Sequence, residues 1–349
     1  MAESPGPVTM QDVARAARVS QPTVSHVLNA TRKVSPDVVA RVTAAIHQTG
    51  YTHDSIARSL RTGRTHTVGL AVSAISNPYF GEVVHAIERE LSAAGYTIIL
   101  VDSHDDPGRE QTVLAELLSR RVDALIVAPS EDVETVVRRI RARTVPAVLF
   151  DRIPDGVKLT GMDAVGVENV ESMASLVTHF TGAGHRRIGL IAGRAGLSTT
   201  EERVAGFRLG LTRAGLDVDE SIIRYADTGE HPAEHALREI LSVQNPPTAL
   251  ITGNNQSTID AMRTLRELAI SVPHDLAFAS FDDFPWADLF HPRVTAIAQP
   301  LAELGHRAVT LLLERLDNPD SPPRIETMTP TLMHRDSCGV SHSADLAAR

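Results

Sequence analysis

The sequence has little of what marks an exported or membrane protein. It contains one cysteine, Cys338, so no disulfide can form within the chain, and this suits a reducing compartment. No apolar run approaches the roughly 20 residues that span a bilayer. The N-terminus lacks the basic start and apolar centre of a signal peptide. We therefore expect a cytoplasmic protein.

Charge is unevenly distributed along the chain, whose formal net charge is −9 over 349 residues. Residues 1–66 hold eight basic and four acidic side chains, a formal charge of +4, and the remainder carries −13. A basic segment attached to an acidic body indicates that only the segment meets a polyanion such as DNA. The length predicts two or three domains.

Three short helices are predicted in the basic segment. Thr9 before "MQDVARAA" is a capping residue for the first helix, and Pro22 suits the first turn of the second. The third runs from about Pro36 to Gln48, with Gly50 as its stop. Because a tight turn joins the first two helices, the pattern is typical of a helix-turn-helix unit.

The second predicted helix, "QPTVSHVLN", has two different faces. Val24, Val27 and Leu28 share one side and can pack on the other helices. The other side carries small polar groups: Gln21, Thr23, Ser25, His26 and Asn29. A generic solvated face would more often carry Glu and Lys, which this helix lacks. The composition therefore favours a recognition helix facing the hydrogen-bonding groups of DNA.

From residue 66 onward, short apolar runs alternate with helical stretches. The runs include "TVGLAVS", "TIILVDS", "ALIVAPS", "RIGLIAG" and "LAFASFDD". Alternation of this kind predicts parallel sheets with right-handed crossovers, and the pattern restarts near Ala164. We therefore expect an α/β fold in which a helix-turn-helix headpiece precedes two doubly wound lobes, with a ligand near the carboxyl ends of the strands.

The predicted boundaries follow from these shifts in pattern. The headpiece covers residues 8–53, a hinge helix and linker cover 54–66, and the two-lobed domain covers 67–341. Within that domain we assign about 67–163 and 294–322 to the first lobe, and about 164–293 and 323–341 to the second. The segment 53–66 is either a flexible linker or a hinge helix that becomes ordered on DNA.

Six segments between residues 8 and 300 resemble those of a known protein family. In chain order they read "TMQDVARAARVSQPTVSHVLN", "GYTHDSIARSLRTGRTHTVGL", "ISNPYF", "LLSRRVDALIVAP", "RVAGFRLGL" and "FDDFPWADL". Together they resemble the LacI/GalR family of bacterial transcription regulators. The resemblance implies a homodimeric repressor on a pseudo-palindromic operator, and a body folded like periplasmic sugar-binding proteins with an effector between the lobes.

The resemblance also implies roles for residues of the headpiece and hinge. Base edges would be contacted by Gln21, Pro22 and His26, and phosphates by Thr23, Ser25 and Asn29. The DNA backbone would be contacted by Tyr51 and His53, with Arg58 and Arg61 near phosphates and Leu60 as a wedge in the minor groove. His26 stands where many members have arginine, and an imidazole lacks the two-pronged fit of a guanidinium to guanine.

For the effector, the resemblance implies seven residues: Tyr79, Phe80, Asp151, Arg203, His231, Asn254 and Asp282. Flat rings can cover the apolar face of a sugar, while carboxylates, an amide and a guanidinium can pair with its hydroxyls. The His231 assignment crosses a variable loop. Neutral sugars, acidic sugars and sugar phosphates all suit this set, and a purine suits it less well. Asn255 stands where the family usually has Asp, and this would remove a charge at the mouth of the cleft.

Other classes of function find less support. "HPAEH" at residues 231–235 fits a zinc-peptidase pattern, but Pro232 can occupy only the first turn of a helix. We therefore expect no enzyme, no catalytic residue, no metal site and no cofactor. A periplasmic-type sugar-binding protein is opposed by the missing export signal and by the fused headpiece. Control of the same DNA-binding role by a protein corepressor remains open.

Overall fold

The computed structural model describes residues 8–29, 32–51, 63–130, 133–153, 162–226 and 231–339, with the side chain of Asn29 left out. The predicted hinge helix, with Arg58, Leu60 and Arg61, lies outside these residues, as does His53 at the end of the predicted headpiece. The chain divides into two compact units, Met1–Thr65 and His66–Arg349. Among the helices that can be described, none is long and apolar enough to cross a membrane.

The N-terminal unit contains the three predicted helices. They are α1 (Met10–Ala17), α2 (Gln21–Asn29) and α3 (Pro36–Thr49). The Asp12 carboxylate accepts hydrogen bonds from the Thr9 N–H (3.0 Å) and hydroxyl (2.7 Å), which fixes the start of α1. Arg18 ends α1 in the left-handed region, with φ 53°, and so turns the chain into α2. Val13, Val24 and Val42, one from each helix, are fully buried together, which confirms the predicted helix-turn-helix unit.

The C-terminal unit contains two six-stranded sheets. The first holds β1 (Thr67–Val72), β2 (Thr97–Asp102), β3 (Ala124–Val127), β4 (Ala147–Asp151), β5 (Asp163–Val167) and β11 (Ile325–Met328). The second holds β6 (Ile188–Ala192), β7 (Ile223–Tyr225), β8 (Ala249–Thr252), β9 (Ala277–Phe281), β10 (Thr295–Ala298) and β12 (Thr331–Met333). The strand orders are β11-β5-β4-β3-β1-β2 and β12-β10-β9-β8-β6-β7, and every pair is parallel except β10 with β12.

Helices cover both faces of each sheet. Packed on the first are α4 (Pro78–Ala93), α5 (Pro107–Ser119), α6 (Val133–Ala142) and α11 (Leu301–Asp317). Packed on the second are α7 (Val170–Gly182), α8 (Ser198–Arg213), α9 (Pro232–Ser242) and α10 (Asn255–Glu267). Because both faces are buried, central strands are continuously apolar instead of alternating. The predicted pair of doubly wound lobes is confirmed.

The predicted lobe boundaries are wrong at three strands. β5 and β11 pair with each other in the first sheet, and β10 pairs with β9 in the second. The chain therefore crosses between the lobes three times, at residues 168–169, 299–300 and 329–330. The sequence records where a buried strand occurs, but the choice of sheet depends on long-range pairing, such as that of Asp163 with Val148.

Candidate functional site

The carboxyl ends of strands from both sheets border a cavity of about 220 Å³. This is the position at which open α/β sheets usually hold ligands. Six of the seven predicted effector residues line it: Tyr79, Phe80, Asp151, Arg203, Asn254 and Asp282. The side chains that sequence reasoning missed include Asp105, Arg152, Arg194 and Gln299.

The start of α4 places two rings on the wall formed by the first lobe. Asn77 caps the helix by accepting a hydrogen bond from the Tyr79 N–H (3.1 Å), and Pro78 occupies its first turn. The rings of Tyr79 and Phe80 lie edge to face, with centroids 5.0 Å apart. The Tyr79 hydroxyl donates to Asp151 Oδ1 over 2.7 Å. Burial, and then the Asp151 charge, raise the pKa of Tyr79 well above its usual value, so the phenol remains a neutral donor.

Asp151 and Arg152 lie where β4 ends. Asp151 has a φ of 65°, a left-handed conformation that aspartate tolerates better than most residues. The Arg152 guanidinium donates to Asp105 Oδ1 (2.6 Å) and to the Pro129 carbonyl (3.2 Å). Its Nε is buried and has no hydrogen-bond partner among the described residues. A charged residue immediately after a buried strand was the signal that could have identified Arg152.

Arg203, on α8, is the centre of the wall formed by the second lobe. Its Nε donates to Asn169 Oδ1 (2.9 Å) and its Nη1 to the Gly253 carbonyl (2.6 Å). The guanidinium carbon lies 3.8 Å from the centroid of the Phe281 ring, a stacked cation–π arrangement. Nη1 is also 3.6 Å from Asp282 Oδ2. Since Arg203 is only 7% exposed, its partners hold it in one orientation.

Asp282 follows β9 and also has a left-handed backbone, with a φ of 74°. Gln299 donates from Nε2 to Asp282 Oδ1 over 2.5 Å. Burial raises the pKa of Asp282, an effect that Arg203 and the Gln299 hydrogen bond oppose. Gln299 lies on a crossing between the lobes, and nothing in the local pattern "AIAQP" distinguishes it.

Asn254 and Asn255 follow β8 but have different surroundings. Asn254 lines the cavity and caps α10 by accepting from the Ser257 N–H over 2.8 Å. Asn255 was expected at the mouth of the cleft. It is fully buried and lines an adjoining pocket that shares Tyr79, Asp282 and Gln299 with the cavity. Its amide has no hydrogen-bond partner among the described residues. The position of Asn255 in this adjoining pocket agrees with the expectation that it lies beside the cleft.

His231 is the predicted effector residue that the structure does not place on the cavity wall. It lies immediately before α9, and its side chain is 44% exposed. Its ring Nδ1 is 3.3 Å from Asp260 Oδ1 and 3.2 Å from Arg263 Nη1, both on α10. These polar neighbours hold the imidazole against α10 instead of against the cleft.

The charges of the described residues around the cavity are balanced. Among these residues, the wall contains three carboxylates and three guanidiniums: Asp105, Asp151, Asp282, Arg152, Arg194 and Arg203. Arg194, from the second lobe, donates to the backbone carbonyl of Asp105 in the first. Arg152 is paired with Asp105, and Arg203 lies beside Asp282. Because the rings of Tyr79 and Phe80 add an apolar patch, the cavity suits a small neutral molecule that is rich in hydroxyl groups.

The polar face of α2 is the second candidate surface. Gln21 and Pro22 are exposed, whereas Thr23, Ser25 and His26 are partly buried. The start of α2 is fixed by Ser20, whose Oγ accepts from the Thr23 N–H over 3.3 Å. Tyr51 packs against the headpiece core. On the other side of α2, Val24 is fully buried and Val27 and Leu28 pack against the headpiece core. A short helix that is packed on one side and exposed at its start is compatible with entry into a major groove.

Comparison with known proteins matches both units. Residues 9–54 match the family "Bacterial regulatory proteins, lacI family", and residues 177–338 match a periplasmic binding protein-like domain. The ribose operon repressor of Escherichia coli K12 is 34% identical over 332 residues, which cover 94% of this chain and 99% of the relative. The repressor PurR of Photobacterium profundum is 32% identical, covering 94% and 98%. A Lac repressor dimer bound to operator and the anti-inducer ONPF matches with a TM-score of 0.82 and 25% identity, covering 95% and 99%.

Proposed function

Since the chain belongs to the lacI family of bacterial regulatory proteins, we propose that it represses transcription by binding an operator as a homodimer, under the control of a neutral sugar held between its lobes. The dimer and the operator are supported by the Lac repressor complex, whose fold this chain shares. The sugar is supported above all by the charge-balanced wall of the cleft.

A neutral monosaccharide fits the wall better than the alternatives. Paired carboxylates and guanidiniums can donate to and accept from several hydroxyls at once. A sugar phosphate or sugar acid would add a negative charge where the three arginines already meet three aspartates. A pentose is also consistent with the ribose operon repressor among the relatives.

The contacts of Arg203 and Asp282 link the cavity to the connections between the lobes. Arg203 is hydrogen-bonded to Asn169, on the first crossing, and Asp282 to Gln299, on the second. A ligand that binds both charged groups therefore acts directly on the segments about which the lobes would rotate. Such coupling between two sites is typically ~1–3 kcal/mol and is reciprocal, so the operator would change the sugar affinity by the same factor.

The ligand class can be tested by thermal unfolding of the purified protein. The panel would contain neutral aldopentoses and hexoses, sugar acids, sugar phosphates and purines. A ligand at a hundredfold over its Kd adds about 2.7 kcal/mol of stability, so we expect a raised Tm with a neutral sugar. Stabilisation by a purine or a sugar phosphate alone would contradict the sugar proposal. Absence of any stabilisation would favour control by a protein corepressor.

The recognition surface can be tested with operators selected from random DNA. We expect His26→Ala to weaken binding to the selected operator and to relax the base preference at one position, with a loss of about 1–3 kcal/mol if a base contact is removed. The matched control is His47→Ala, since His47 is an exposed histidine on α3. Equal effects of both substitutions on operator affinity would contradict the assignment of α2 as the recognition helix.

A further inference from the structure

A cluster of metal-binding side chains lies in the second lobe, outside the cleft. His179 stands on the last turn of α7, and His334 and Cys338 follow β12. One ring nitrogen of each histidine and the Cys338 sulfur lie within 4.8 Å of one another. Imidazole and thiolate are the ligands that zinc most often takes in proteins, and Cys338 is the only cysteine of the chain.

The three groups are already close to the geometry of a metal site. His334 Nε2 is 3.1 Å from Cys338 Sγ, and the His179 and His334 rings meet at 68° with centroids 4.8 Å apart. Bonds of about 2.0–2.3 Å from zinc place neighbouring tetrahedral ligand atoms roughly 3.3–3.6 Å apart. Small rotations of the two imidazoles would therefore be enough to enclose an ion.

The His179 imidazole has a buried nitrogen whose hydrogen-bonding capacity the described residues leave unsatisfied. Its Nε2 is buried and has no hydrogen-bond partner among the residues that the structure describes. A buried polar atom without a hydrogen bond is destabilising, and a bound ion is one of the recognised reasons for such an atom.

The segment that carries Cys338 is held rigidly. A 3₁₀ turn at Asp336–Cys338 is fixed by Ser337, whose Oγ donates to the Phe278 carbonyl (2.7 Å) and accepts from the Thr295 N–H (2.8 Å). The Cys338 side chain is buried in the same apolar cluster as Phe180, whereas both histidines are only partly buried. The thiol is therefore fixed on the buried side of the cluster. The two histidines lie on its partly exposed side, from which an ion could enter.

We propose that His179, His334 and Cys338 bind a divalent zinc ion, which joins the C-terminal segment of the second lobe to α7. Three protein ligands leave a fourth position for water. The sequence alone does not suggest this cluster, because its local signal is limited to a histidine four residues before a cysteine. The remaining ligand, His179, is brought there by folding. The proposal is independent of the sugar and the operator.

Cobalt can report the site because a thiolate bound to Co²⁺ gives charge-transfer absorption in the near ultraviolet. We expect metal-free full-length protein to bind one Co²⁺ per chain with this absorption, and Zn²⁺ to displace the cobalt and abolish it. Loss of one ligand should weaken binding at least tenfold. Titration without any thiolate absorption would overturn the proposal.

Two variants and a control distinguish metal binding by these three side chains from ordinary packing of the same residues. Cys338→Ser should abolish the absorption. Because Cys338 is fully buried, His334→Gln provides a second test at a partly exposed position. His235→Ala, at a histidine whose side chain is 82% exposed, should leave cobalt affinity unchanged. Zn²⁺ should also raise the Tm of the unsubstituted protein but not of His334→Gln. Affinity and Tm shift in His334→Gln equal to those of the unsubstituted protein would refute the site.

Discussion

Replacing Arg203 by alanine tests the cleft most directly. The substitution removes two hydrogen bonds, to Asn169 and Gly253, and the cation over the Phe281 ring. It also leaves Asp282 without a guanidinium at 3.6 Å. Burial already raises the pKa of this carboxyl, so its unpaired charge would be costly. Removing one partner of a buried ion pair typically costs ~3–5 kcal/mol.

Ligand binding should fall as well as stability. A hydrogen bond to a charged group is worth about 1.5–3 kcal/mol, and each 1.4 kcal/mol corresponds to tenfold in Kd. We therefore expect Arg203→Ala to weaken binding of the sugar by about 10- to 100-fold. The sugar affinity of Arg203→Lys should lie between those of Arg203→Ala and the unsubstituted protein. Lysine keeps the positive charge but lacks the planar guanidinium that bonds Asn169 and stacks on the Phe281 ring.

The assay would combine denaturant unfolding with calorimetric titration of the sugar found by thermal unfolding. Arg208→Ala is a matched control on the same helix, since Arg208 pairs with Glu220 at the surface and such pairs contribute about 0–1 kcal/mol. Operator binding without sugar should survive in both variants. If Arg203→Ala lost no more stability than Arg208→Ala, or bound the sugar as tightly as the unsubstituted protein, the reasoning about the cleft would be refuted.

Two further predictions concern stability. A Cβ on Gly206 would lie 2.2 Å from the Val170 carbonyl oxygen, so Gly206→Ala should separate α7 from α8 and destabilise the protein by about 1–3 kcal/mol. Gly81 has open space around it, so Gly81→Ala should instead stabilise the protein by about 0.5–1 kcal/mol. Urea unfolding midpoints equal to that of the unsubstituted protein would contradict both predictions. Hydrogen bonds from Ser221, and then Arg187, lower the pKa of Asp219 from 3.8 to about 2. Its stabilising effect is therefore present above pH 3.8 and lost as the pH falls toward 2. The stability deficit of Asp219→Asn should shrink over that window, and a constant deficit would show that the charge is not responsible.

The features predicted correctly from sequence depend on short-range patterns. Thr9 before an amphipathic run located α1, and the apolar runs located the strands, because capping and continuous burial leave local signatures. The assignments that failed depend on distant pairing. β5 reads like any buried strand, and only its pairing with β4 and β11 places it in the first sheet. For the same reason Gln299, which contacts Asp282 from a crossing, and His179, which approaches Cys338, had no local signal.

The topology explains why each side of the cleft has an aspartate with a left-handed backbone conformation. The two sheets have corresponding strand orders, in which β4 of the first matches β9 of the second. Asp151 ends β4 and Asp282 follows β9, both with left-handed backbones. Strain repeated at corresponding positions is typical of functional sites. Burial, and to a smaller extent repulsion by the Asp151 charge, raise the pKa of Asp282. If the proposed neutral sugar binds here, hydroxyl groups that donate to both carboxylates would offset this repulsion, so a ligand that contacts both lobes at once is favoured over one that contacts a single lobe.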